Sequence, residues 1–97
     1  MSDDAQDQII AERGLRADAL LRNELFQEAN MLLAKAITDA FARTDPRNEK
    51  ELAYQRRLLQ AQLDFNQLFA QFVHDGKNAV ARIKDNERQS LLRRLVA

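Results

Sequence analysis

The chain has 97 residues, with fifteen basic and fifteen acidic side chains, two glycines, one proline and no cysteine. That length predicts a single helical domain over 1–97 with a modest core, so stability is expected to lean on self-association. Without cysteine, disulfides, thiolate nucleophiles and thiolate metal sites are excluded, and the dominance of Ala, Leu, Gln, Glu, Arg and Lys predicts an all-α fold.

No apolar run approaches the roughly 20 residues of a membrane span, and the opening Met-Ser-Asp-Asp is acidic where a secretory signal is basic. The expectation is a soluble protein with no membrane partner and no targeting segment. Charge is nonetheless polarised: residues 1–12 carry four acids and no base, whereas residues 77–97 carry six bases and two acids. Head-to-tail subunit contact, or a basic terminus resting on an acidic partner or nucleic acid, would each use that asymmetry.

In chain order, Ser2 is read as an N-cap with Asp3 and Asp4 in the first turn, where carboxylates favour the positive end of the helix dipole. Gly14 weakens the middle of this first helix by about 1 kcal/mol relative to alanine, so a break near it, or fraying over 1–14, is expected. Asn23 is the right residue to cap a second helix from Glu24. From there Leu25, Phe26, Ala29, Leu32, Leu33, Ala36, Ile37, Ala40 and Phe41 follow the i, i+3, i+4, i+7 pattern of a core-facing helix.

Thr44-Asp45-Pro46-Arg47-Asn48 interrupts the pattern, with proline read as the first helical position of the next element. The third helix, over about 46–74, holds a heptad seam of Tyr54, Leu58, Ala61, Phe65, Leu68 and Phe72, with Leu52, Leu59, Leu63 and Ala70 on nearly the opposite side. The seam is assigned to an antiparallel hairpin with residues 24–43, whose alanines leave room for its rings. Phe65 is accordingly expected in the core, with truncation to alanine costing about 3–5 kcal/mol. The opposite face, Leu52, Leu59, Leu63 and Ala70, is read as the contact with another subunit or protein. Gln55, Gln60, Gln62, Asn66, Gln67 and Gln71 lie on the shoulders between the two faces, either as hydrogen-bonded ladders between copies or as solvated filler. Asp75-Gly76 is read as a helix stop, and 77–97 as a separate basic C-terminal helix. The predicted architecture is thus a hairpin with flanking N- and C-terminal helices, in an oligomer.

His74, the single histidine, has no cysteine, second histidine or Glu-x-x-His pair to make a metal site, so no catalytic, cofactor or metal residue is expected. Glu24 and Glu28, one turn apart, read as a solvated face. Basic doublets occur at Arg56-Arg57 and Arg93-Arg94, and Arg82, Lys84, Arg88, Arg93 and Arg94 are the candidate phosphate contacts of a nucleic-acid or DNA-packaging role.

The run from Glu12 through Arg13-Gly14-Leu15-Arg16-Ala17, Leu20-Leu21-Arg22-Asn23 and Phe26-Gln27-Glu28-Ala29 resembles small helical proteins encoded in the head-morphogenesis clusters of tailed bacteriophages and prophages. Those proteins share an Arg-Gly-x-Arg-Ala, Leu-Leu-x-Asn and Phe-Gln-Glu-Ala pattern and end in an acidic-Gly-Lys segment like Asp75-Gly76-Lys77. The resemblance spans residues 12–77 and has no counterpart for Arg82 to Ala97. It implies a non-enzymatic virion or assembly protein, located in the virion or the bacterial host cytoplasm, whose partners are itself or other virion proteins. A basic accessory protein of DNA packaging and a helical inhibitor or adaptor docking on a host protein are the alternative expectations.

Overall fold

Asn23 divides the first half of the chain. Its backbone is extended (φ −68°, ψ 124°) and its side-chain oxygen accepts from the Phe26 amide at 2.9 Å, an N-cap that satisfies one of the orphan donors of the following helix. The structure, a computed structural model describing residues 2–96 and side chains from Asp4 onward, accordingly has α1 over Ser2–Arg22 and α2 over Glu24–Arg43. The expected cap at Ser2 and the carboxylate of Asp3 lie outside the described side chains.

Thr44 ends α2 in extended conformation, its amide donating to the Phe41 carbonyl. Asp45 then accepts from the Arg47 amide at 2.9 Å, so Pro46 and Arg47 sit in a turn rather than in a helix. Asn48 is the cap of the next helix, accepting from the Glu51 amide at 3.2 Å, and α3 begins at Glu49 instead of Pro46. Helix α3 continues to Val96, and no strand occurs among the described residues.

Two expectations are corrected here. Gly14 does not break α1, and Asp75-Gly76 does not end α3, so residues 77–96 are the continuation of α3 and not a separate basic helix. The two glycines face one another. A Cβ added at Gly14 would stand 2.8 Å from the Gly76 Cα and 2.8 Å from the Phe72 carbonyl oxygen, and one added at Gly76 would stand 2.8 Å from the Gly14 Cα. Helices that cross so closely have room only for hydrogen at the crossing, which accounts for both residues without any left-handed conformation; no glycine has positive φ.

Packing divides the chain into two compact units, one joining the chain up to Ala19 with the chain from Phe69 onward, the other Leu20–Leu68. In the first, Ala17 and Ala79 are buried beside the two glycines, and Arg13 lies over the Phe72 ring at 4.3 Å. Asp7, buried at 8% exposure, accepts from Arg82 Nε at 3.1 Å and from a terminal guanidinium nitrogen at 2.9 Å; this bond holds the Arg82 pKa above its ordinary value. Asn86 donates to Asp4 at 3.0 Å, so α1 is tied to α3 well before Gly14.

In the second unit the contacts pair later residues of α3 with earlier residues of α2: Arg56 lies near the Phe41 ring, and Gln62 donates to the Asn30 carbonyl at 2.8 Å. This is a hairpin-like pairing, but its seam is not the predicted one. Gln55 and Gln62 are buried, whereas Tyr54, Phe65 and Leu68 are about half exposed at 49%, 54% and 50%. The physical reason is that α3 is apolar on two sides, and a single neighbour seated astride the shoulder between them takes partial contact from both.

Candidate functional site

In the Leu20–Leu68 unit the seam residues Leu58, Ala61 and Phe65 of α3, with Phe26, Ala29 and Leu33 of α2, wall an open cleft of about 470 Å³ whose floor includes Ile37, Asn30 and Gln62. No charged residue lines it. Ile37 is the one buried large apolar side chain of this unit among the described residues. Around the cleft Leu25, Leu32, Leu33 and Phe65 keep 72%, 57%, 50% and 54% of their surface exposed. Leaving a leucine or phenylalanine in water forgoes about 1.5–3 kcal/mol relative to burial, so this face carries a large unrealised apolar burial.

The opposite face of α3 is covered unevenly. Leu52 is half-buried, Leu59 is 37% and Leu63 54% exposed, and Ala70 is exposed. Between the two faces runs the polar shoulder. Gln62 reaches the Asn30 carbonyl and amide oxygen, and Gln55 donates to Glu51 at 2.8 Å, but the side-chain oxygens of Gln62 and Asn66 are buried with no hydrogen-bond partner. Gln60, Gln67 and Gln71 are exposed, so within one chain the shoulder is buried in part and solvated in part.

The candidate phosphate contacts all lie on α3 but do not share one side. Arg82 turns toward α1 and is held by Asp7, while Lys84 and Arg88 are one turn apart on another side of the helix. Arg93 and Arg94 stand in the last turn, where positive charge suits the helix dipole. His74 sits mid-helix, exposed, with its Nε2 at 3.3 Å from the Asn78 amide nitrogen, and not at a helix end as the glycine stop had implied. Glu24 and Glu28 are exposed. A polar cleft lined by Gln6, Asp7, Ile10, Arg82 and Asn86 lies in the other unit. Sequence reasoning missed its central pair because Asp7 and Arg82 are 75 positions apart and each is an ordinary surface residue in its own helix.

No group of three or more His, Cys, Asp or Glu side chains that could hold a metal ion occurs among the described residues. No helix among them is long and apolar enough to cross a membrane. Comparison with protein-family models, with curated proteins and with solved structures returns no match.

Proposed function

We propose that this chain is a non-enzymatic assembly protein that works by packing its apolar helix faces against protein, in an oligomer of itself or on other components of a virion. The observation that carries the reading is the pair of only partly covered apolar faces on α3, one at Leu58 and Phe65, the other at Leu59 and Leu63. A hairpin of α2 and α3 that buries glutamines and exposes leucines is half of a packed structure, and a further layer of helices completes it. What supports placing it in phage assembly is the resemblance of residues 12–77 to head-morphogenesis proteins.

Light scattering after size exclusion tests the reading. The expected result is an oligomer whose mass falls in Leu59→Glu while circular dichroism shows unchanged helix content. A strict monomer, with stability and assembly untouched by Leu59→Glu, overturns it.

A further inference from the structure

Resting on the assembly reading above, we infer that the cleft-bearing face of the Leu20–Leu68 unit is occupied by a second copy of the same chain. The two copies pack as an antiparallel four-helix bundle, α2 opposite α2 and α3 opposite α3. A two-fold axis lies in that face, perpendicular to the helices.

The face is self-complementary in size. On α3, Tyr54, Leu58, Ala61 and Phe65 recur at steps of 4, 3 and 4, a heptad seam turned outward. Two such seams running in opposite directions set Leu58 against the partner's Ala61, and Tyr54 against the partner's Phe65. On α2, Leu25, Ala29, Leu32 and Ala36 repeat the same spacing and are likewise exposed. Antiparallel pairing there sets Leu25 against the partner's Ala36 and Leu32 against the partner's Ala29. Three of the four kinds of layer therefore join a bulky side chain to an alanine, and the fourth joins two rings, the combinations that fill space without overpacking. A parallel pair would instead set each leucine beside its own copy.

The charges flanking the face obey the same symmetry. Arg57 and Asp64 border the α3 seam one heptad apart, on the side away from α2, and an antiparallel pair brings Arg57 to the partner's Asp64 twice. Glu28 and Lys35 border the α2 seam in the same way, and the Lys35 ammonium, which also bonds Asp39 at 2.8 Å within its own helix, meets the partner's Glu28 likewise. One axis satisfies both helices. The Gln62 to Asn30 hydrogen bond sets residue 30 level with residue 62, and opposite chain direction then sets the midpoint of Glu28 and Lys35 level with that of Arg57 and Asp64. No charged side chain falls inside the cleft that the partner fills.

Sedimentation equilibrium on the full chain tests this with charge reversals outside the cleft. The wild type is expected at twice the 11.2 kDa mass of one chain, or at an even multiple of it. Arg57→Glu and Asp64→Arg should each weaken the dimer by about tenfold, and the double variant should recover most of that loss. Ala61→Glu, which buries a carboxylate under the partner's Leu58, should weaken it by more than about a hundredfold. An oligomer unmoved by Arg57→Glu and Ala61→Glu but broken by Leu59→Glu overturns this arrangement and leaves the assembly reading standing. A chain monomeric up to about 1 mM overturns the arrangement, and if Leu59→Glu also leaves its stability unchanged, the assembly reading falls with it.

Discussion

The two units of this protein join helices in opposite ways. Where α1 meets α3, backbones approach so closely that only glycine fits, alanines fill the adjoining positions, and a buried carboxylate meets a guanidinium. Where α2 meets α3, the seam is made of glutamines and the large apolar residues stand to either side of it, half exposed. The first junction closes tightly at its crossing, although Ile9, Leu15 and Val80 of the same unit stay exposed. The second leaves the large apolar residues beside its polar seam half exposed. Whether a helix pair is finished depends less on how much apolar residue it contains than on which stripe it turns inward.

The largest effects should come at the glycine crossing. Gly76→Val would drive a branched side chain into the Gly14 backbone and is expected to cost about 3 kcal/mol or more of stability in urea unfolding. Gly14→Ala is the sharper case because the sign is diagnostic. On a free helix surface alanine gains about 1 kcal/mol over glycine, whereas here overpacking against two backbone atoms should outweigh that gain and leave a net loss of about 1–2 kcal/mol. A stabilised Gly14→Ala protein would break the contrast between the units.

Next in size, Phe65→Ala should cost about 1–2 kcal/mol in the isolated chain, well below the penalty for a buried phenylalanine, because 54% of the residue is exposed. The loss should grow with protein concentration if a second copy covers the ring, which melting at several concentrations would reveal. Asn23→Ala removes the cap of α2 and is expected to cost about 1 kcal/mol by chemical denaturation. Gln62→Leu probes the polar seam. It forfeits the bond to Asn30 but removes a buried oxygen with no partner, so a change between neutral and about 1 kcal/mol of stabilisation is expected. A loss above about 2 kcal/mol would mean that the seam's polarity contributes directly to stability.

The smallest effect is electrostatic. The Lys35 ammonium, 2.8 Å away, holds Asp39 below its ordinary carboxylate value of 3.8. A carboxylate depressed in the folded state stabilises fully above its unfolded pKa, and that contribution is lost as pH falls through the lower folded value. Carbon-detected NMR titration should therefore show Asp39 protonating later than an unpaired aspartate on acidification, and Lys35→Ala should remove most of the difference, Arg43 supplying the remainder.

Features encoded within a few residues were legible in the sequence. Asn23 caps α2 by a bond to its own third neighbour, and the bounds of α2 at Glu24 and Arg43 follow from that cap and from the turn beyond Thr44. Gly76 was misread because a glycine that permits a close crossing looks the same, in one dimension, as a glycine that stops a helix; what separates them is Gly14, 62 positions away. The seam of α3 was misread for a related reason. Heptad reasoning assumes that the most apolar stripe meets the nearest neighbour, and it has no means to anticipate a helix with two such stripes whose neighbour settles between them. The leucines at 52, 59 and 63 and the rings at 54 and 65 were visible as two faces, but their degree of coverage was not.

The Gln62 amide has one further consequence. Polar atoms at a helix seam act as a detent: sliding α2 along α3 by one turn, about 5.4 Å, carries the Asn30 carbonyl out of reach and leaves a buried NH₂ group unanswered. Apolar side chains alone would tolerate such a slip, since leucine packs nearly as well one turn along. A detent of this kind adds little to the depth of the energy well and much to its narrowness, so this bond keeps the height of one helix on the other single-valued.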